Sequence, residues 1–130
     1  MKIIPWEIPL QAAWSRALIL DNLTYNKKGF ILTVRDEEEK LWELKFKCNQ
    51  AFRVTTEECS THALPSPPNF GGLFKILDSP WITELGKGEV HFLEKSQHFV
   101  VYCYDEVVEV IAWDCEVTPI NSQKPEDCSS

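Results

Sequence analysis

The sequence lacks every short motif that is specific for a catalytic, redox or phosphate-binding site. It has no Gly-x-Ser-x-Gly sequence, which would indicate a hydrolase nucleophile, and no Cys-x-x-Cys pair, which would indicate a zinc knuckle or a redox site. Its glycine-containing stretches, "NFGG" and "GKG", lack the frame of a phosphate-binding loop. We therefore expect no enzymatic activity and no cofactor.

Long apolar segments are also missing. No stretch approaches the ~20 apolar residues that a membrane-spanning helix needs. Residues 1–16 contain a lysine, two prolines, a glutamate and an arginine, which interrupt the apolar core that a signal peptide requires. These features predict a cytoplasmic protein that does not associate with a membrane.

The five cysteines show no pairing pattern. Cys48 and Cys103 fall within alternating apolar residues, where a free thiol packs as a small hydrophobic group. Cys128 lies in a polar C-terminal segment, where we expect it to be exposed. Because cytoplasmic thiols stay reduced, we predict a chain without disulfides or a structural metal.

The net charge of −7 is concentrated in two segments. Residues 34–43 hold five carboxylates against two basic residues, and residues 104–130 hold seven against one. Such acidity repels phosphate backbones and attracts basic surfaces over a Debye length of about 8 Å. It disfavours nucleic-acid binding and favours a basic protein partner. The sequence leaves the oligomeric state open.

Strand patterns outnumber helix patterns. Residues 98–103 and 107–113 predict one hairpin, and residues 29–36 and 40–48 predict a second that turns at 36–39. Further strands are expected at 17–25, at 51–57 and in "LFKILDS" (73–79). We predict an α+β fold with a mainly antiparallel β-sheet and one or two short helices. The predicted core consists of Trp42, Leu44, Phe46, Phe99, Val101, Val108 and Val110.

Helices are expected in two places. Asp78 or Ser79 can serve as the N-cap of a short helix with Pro80 in its first position and Gly86 as its stop. Residues 8–18 show helical spacing, although a loop that leads into a strand is the alternative. Residues 57–72 contain three prolines and predict a surface loop. We expect a single domain over residues 1–120 and a disordered tail over 121–130.

The polar candidates for chemistry have simpler interpretations. Cys59 and His62 could ligate zinc together with His91 or His98, but a structural zinc site usually has two tight ligand pairs. We therefore expect His98 to open a strand with its ring half exposed. The carboxylates between Asp105 and Glu116 are expected to be solvated, because strand ends and turns are in contact with water.

The acidic clusters and nearby aromatic residues form the predicted partner-binding set. Tyr104 and Trp113 are expected to be apolar anchors, and the carboxylates surround them. The full set is Glu37, Glu38, Glu39, Tyr104, Asp105, Glu106, Trp113, Asp114 and Glu116.

The segment "HFVVYCYDEVVEVIA", preceded by "SPWITEL", resembles the C-terminal pattern of small bacterial immunity proteins of polymorphic and contact-dependent toxin systems. The resemblance extends from Leu73 to Val117. It implies a non-enzymatic α+β protein that binds and neutralises one cognate toxin, and many such toxins are basic nucleases. The alternatives are a phage or bacterial accessory protein-interaction domain, and a small metal-binding or hydrolytic enzyme that uses His62, His98 and nearby carboxylates.

Overall fold

The computed structural model describes residues 2–10, 18–56, 72–86 and 95–120. Within these ranges the chain forms nine strands and one short helix. Their bounds are β1 (Ile3–Pro5), β2 (Ile19–Asn26), β3 (Gly29–Arg35), β4 (Leu41–Lys47), β5 (Ala51–Thr56), β6 (Leu73–Ile76), α1 (Pro80–Leu85), β7 (Gln97–Tyr102), β8 (Glu106–Ala112) and β9 (Asp114–Pro119).

The strands form two antiparallel sheets. One has five strands in the order β1-β6-β7-β8-β5, and the other has four in the order β2-β3-β4-β9. The chain leaves the four-stranded sheet after Lys47 and returns to it at Trp113. A hydrogen bond joins the two points where the chain passes between the sheets: the Trp113 N–H donates to the Lys47 carbonyl over 3.0 Å.

The core lies between the two sheets. The inward residues of β3 and β4, from Phe30 to Phe46, belong to one buried cluster with inward residues of β7 and β8. Phe99 joins the layers, since its ring centroid lies 4.9 Å from that of Trp6 and 5.4 Å from that of Phe46. All seven predicted core residues belong to this cluster, and both predicted hairpins are confirmed.

The outer face of the five-stranded sheet is buried as well. Phe74, Val100 and Val107 form part of a second buried cluster on that face. This explains why the run Val107 to Ala112 is apolar on both sides of its strand. The outer face of the four-stranded sheet instead carries charged and polar side chains such as Lys45.

Helix α1 follows the sequence prediction. The Ser79 side chain accepts a hydrogen bond from the Ile82 N–H over 3.1 Å, Pro80 occupies the first turn, and Gly86 is the C-cap. Ser79 is therefore the N-cap. The other predicted helix, the proline-rich loop and the C-terminal tail lie wholly or mostly outside the described residues.

Three predictions need correction. The antiparallel strands belong to two sheets rather than one. Cys48 was expected to pack as a small hydrophobic group, but it is exposed with a φ of 53°, because the chain leaves β4 at this residue. His98 was expected to be half exposed, but it is only 2% exposed, because its ring points to the buried outer face of the five-stranded sheet.

Among the described residues, no helix is long and apolar enough to cross a membrane.

Candidate functional site

The turn between β3 and β4 presents three consecutive glutamates. Asp36 fixes this turn, because its carboxylate accepts hydrogen bonds from the N–H groups of Glu38 and Lys40 and from Trp42 Nε1, over 2.9 to 3.0 Å. Partial burial alone would raise the pKa of Asp36, but these hydrogen bonds outweigh it and lower the pKa. Glu37, Glu38 and Glu39 are all exposed at this fixed turn.

The turn between β7 and β8 presents a second acidic group with an aromatic residue. The Cys103 N–H donates to the Glu106 carbonyl over 2.7 Å and closes the turn. Tyr104 is 58% exposed, and Asp105 beside it is exposed as well. Partial burial and the neighbouring charge of Asp105 raise the pKa of Glu106.

The two turns lie at the same end of the molecule. Leu18 forms a parallel bridge with Cys103, and its carbonyl accepts from the Tyr104 N–H over 2.8 Å. The next residue, Ile19, pairs with Arg35 at the start of the glutamate turn. These steps place the Cα atoms of Arg35 and Cys103 no more than about 15 Å apart. We call this surface the acidic end, and it consists of Glu37, Glu38, Glu39, Tyr104, Asp105 and Glu106.

Two basic residues of the described part of the chain, Arg35 and Lys40, lie beside the glutamate turn. Arg35 forms ion pairs with Asp21 over 2.8 Å and with Glu39 over 3.2 Å. The ammonium group of Lys40 lies over the ring of Trp42, 4.8 Å from its centroid. Glu39 is therefore partly neutralised.

A shallow hollow opens beside the glutamate turn. The indole of Trp42 contributes to it and is held by its hydrogen bond to Asp36. The indole is only 6% exposed and already carries the ammonium of Lys40, so the polar groups that the hollow offers to solvent are its carboxylates. Carboxylates can pair with the cationic group of a lysine or an arginine. The hollow is lined by Pro9, Asp36, Glu37, Glu38, Lys40 and Trp42.

The remaining three predicted residues lie elsewhere. Trp113 and Asp114 are at the far end of the four-stranded sheet, where Asp114 pairs with Lys47, the last residue of β4. The seven residues of β4 span roughly 20 Å between this position and the glutamate turn. Glu116 lies opposite Lys45 on the outer face of that sheet. The structure thus brings six of the nine predicted residues together and separates Trp113, Asp114 and Glu116 from them.

Local charges make this second group less acidic than its sequence suggests. Lys45 and Lys47 stand directly opposite Glu116 and Asp114, where cross-strand pairs of opposite charge attract. Trp113 is half-buried, and the ammonium of Lys95 lies 5.3 Å from its ring centroid. Within the described residues, the acidic end is therefore the more negatively charged of the two groups.

A buried polar network lies on the outer face of the five-stranded sheet. Ser79 Oγ lies 2.7 Å from His98 Nδ1, and His98 Nε2 lies 2.8 Å from Glu109 Oε1. The guanidinium of Arg53 on β5 donates to both carboxylate oxygens of Glu109, over 2.9 and 3.1 Å. Ser79, His98 and Glu109 are at most 4% exposed.

The aromatic residue of α1 completes this network. The ring of Trp81 contacts His98 edge-on, with centroids 5.4 Å apart. Its face also lies 4.0 Å from the guanidinium carbon of Arg53. The network therefore ties α1 to three positions on the sheet.

The ionisation of Glu109 follows from these contacts. Burial alone would raise its pKa, but the hydrogen bonds from His98 and Arg53 and the charge of Arg53 lower it to about 2. Because Glu109 is then a carboxylate, it accepts a hydrogen bond from the Nε2–H of His98. In a neutral imidazole the other nitrogen, Nδ1, accepts the hydrogen bond of the Ser79 hydroxyl.

Sequence reasoning missed this network, since it placed the carboxylates of this segment in water. Glu109 is fully buried, which corrects that expectation. The available signal was the position of Glu109 as the lone charge between Val107 and Ala112. Ser79 and Trp81 belong to "SPWITEL", whereas His98 and Glu109 belong to "HFVVYCYDEVVEVIA". The two segments that carry the family resemblance thus meet in space.

Within the described residues, no group of three or more histidine, cysteine or acidic side chains is arranged to hold a metal ion. Cys59, His62 and His91 of the zinc alternative lie outside those residues. Comparisons with protein-family models, with curated protein sequences and with solved structures return no significant match.

Proposed function

We propose that this protein is a non-enzymatic binding domain that recognises a basic protein through its acidic end. The observation that carries the proposal is that two exposed acidic turns lie at the same end of the molecule, and that the glutamate turn borders the hollow at Trp42. The glutamate turn is held by three hydrogen bonds to Asp36, so its carboxylates are presented on a fixed backbone. Little conformational entropy then has to be lost when a partner binds.

The carboxylates and the aromatic residue of the acidic end contribute to binding in different ways. Exposed carboxylates increase the association rate of a basic partner through long-range attraction. Tyr104, with 58% of its surface exposed, supplies apolar area that a partner can bury. Aromatic residues of this kind dominate binding energy in the centre of protein interfaces and slow dissociation.

The most specific form of the proposal is an immunity protein in the bacterial cytoplasm that neutralises a cognate toxin. The pattern resemblance at "SPWITEL" and "HFVVYCYDEVVEVIA" supports this class. An acidic docking surface fits the basic surface of a nuclease-like toxin domain. Blocking the toxin requires no chemistry from this chain.

The test is a pair of charge-matched double variants. Glu38→Gln with Asp105→Asn removes two charges from the acidic end, whereas Asp114→Asn with Glu116→Gln removes two from the outer face of the four-stranded sheet. We expect the first pair to slow association with the toxic domain encoded next to this chain's gene by about tenfold at low salt. The second pair should change it by less than about twofold.

The variant with Glu38→Gln and Asp105→Asn should also protect cells that express this toxic domain less well than the variant with Asp114→Asn and Glu116→Gln. Equal effects of the two variants on association would show that the acidic end is not the docking surface. If the chain binds a basic protein but gives no protection against any adjacent gene product, it is an accessory interaction domain instead. Tyr104→Ala should accelerate dissociation by about 30-fold if its ring is a buried anchor.

A further inference from the structure

The buried network places a serine, a histidine and a glutamate in the order of a nucleophilic relay. Ser79 Oγ, the two nitrogens of His98 and Glu109 Oε1 form a continuous chain with contacts of 2.7 and 2.8 Å. These separations lie within the range over which a nucleophile and its general base exchange a proton. The network belongs to the five-stranded sheet and α1, so it is independent of the acidic end.

The hydrogen bonds define the direction in which a proton can move. The Ile82 N–H donates to Ser79 Oγ over 3.1 Å and occupies one lone pair of that oxygen. When His98 is neutral and donates its Nε2–H to Glu109, the Ser79 hydroxyl donates to Nδ1, and these two contacts leave one lone pair of Oγ unengaged. Arg53 holds the Glu109 carboxylate through both oxygens, and Oε1 thereby faces His98 Nε2.

We propose that Ser79 is an activated nucleophile that takes an acyl group from small activated esters. In this step Ser79 Oγ forms a bond to the acyl carbon while its proton passes to His98 Nδ1. The carbon–oxygen bond of the ester then breaks, and the leaving alcohol takes the proton from Nδ1. Glu109 stays ionised and stabilises the imidazolium that forms in between.

The burial of Ser79 limits the size of the ester that can donate an acyl group. Ser79 is 4% exposed and His98 is 2% exposed, and Trp81 packs against the imidazole ring. An acetyl-sized group fits this restriction better than a long acyl chain or a peptide. Arg53 also opposes the relay in part, since its positive charge offsets that of Glu109, so we expect slow acylation rather than rapid turnover.

The same contacts also have a structural role, because Ser79 caps α1. The experiment must therefore separate nucleophilicity from folding. The full chain is incubated with p-nitrophenyl acetate, and acetylated positions are mapped by peptide mass spectrometry over time. Ser96 is an internal reference, because it is a half-buried serine outside the Ser79–His98–Glu109 relay.

We expect Ser79 to be acetylated at least about 100-fold faster than Ser96, which is the lower range for general-base catalysis. Ser79→Asn removes the nucleophile but can still accept from the Ile82 N–H and donate to His98. It should retain the fold and leave position 79 unmodified. Glu109→Gln should slow acetylation of Ser79 by a similar factor under conditions where circular dichroism shows it folded.

Two results would overturn the proposal. One is acetylation of Ser79 in the unaltered chain at the rate of Ser96 or below, which needs no variant and does not depend on folding. The other is unchanged acetylation of Ser79 in folded Glu109→Gln, which would show that the relay does not activate the serine. Neither result bears on the acidic end.

Discussion

Replacing Glu109 with glutamine tests whether the buried network stabilises the fold. The glutamine oxygen can keep the hydrogen bond from His98 Nε2, but its amide nitrogen then faces Arg53 Nε, where Glu109 Oε2 accepts over 2.9 Å. One charge-assisted hydrogen bond is lost and two donors face each other. A hydrogen bond to a charged group contributes about 1.5–3 kcal/mol. Because the Arg53 side chain is 40% exposed, water can solvate part of its charge. We expect a loss of about 2–3 kcal/mol in the free energy of unfolding.

The same contacts also make the stability depend on pH. The pKa of Glu109 is about 2 in the folded chain, below the 4.5 of an unperturbed glutamate. The folded state therefore binds the proton less well than the unfolded state does. The stabilisation is fully present above about pH 4.5 and is lost as the pH falls towards 2. A shift of this size corresponds to about 3 kcal/mol.

Urea denaturation at pH 7 measures the stability loss in Glu109→Gln, and a second measurement at pH 3.5 shows how stability depends on pH. The matched control is Glu116→Gln, which removes an exposed carboxylate opposite Lys45 and should cost less than about 0.5 kcal/mol. Stability of the unaltered chain should fall between pH 5 and pH 3 more steeply than that of Glu109→Gln. Equal stability losses in the two variants at pH 7 would refute the network argument.

Three further predictions concern the fold. Phe99→Ala should cost about 3–5 kcal/mol in urea denaturation, because Phe99 is buried between Trp6 and Phe46, and a loss below about 1 kcal/mol would contradict its core role. Gly29→Ala should cost about 1 kcal/mol or more, since Gly29 has a φ of 130°, whereas Gly86→Ala, with a φ of −77°, should cost less. The melting temperature should not change with a chelator or a reductant, and a fall of several degrees with either would reveal a metal or a disulfide.

The strands and their pairing in hairpins could be predicted from local pattern. Trp42, Leu44 and Phe46 alternate with polar residues, and the neighbouring strand of the hairpin, β3, ends only a few positions earlier. Such contacts depend on residues that are close in sequence, so period and turn residues suffice to identify them. The N-cap at Ser79 was predictable for the same reason.

The division into two sheets could not be predicted, because the chain changes sheets without a strong turn motif. The alternation of β4 runs on through Cys48, yet Cys48 has a positive φ and begins the crossing to β5. At Trp113 a single residue separates β8 from β9. The bridge between Leu18 and Cys103, which brings the acidic turns together, likewise joins residues that no local pattern connects.

Glu109 shows how such a site could be recognised in a sequence. A strand that is apolar on both faces predicts burial on both faces, so a carboxylate within it must be buried too. Burying an unpaired charge costs several kcal/mol, which a stable fold avoids by supplying a partner. In the antiparallel register Glu109 lies opposite Val100 and diagonal to His98, which is within reach of an imidazole. His98 could therefore have been proposed from the hairpin alone. Arg53 and Ser79 could not, because they approach from β5 and from the start of α1, and those positions are set by the packing of the whole sheet.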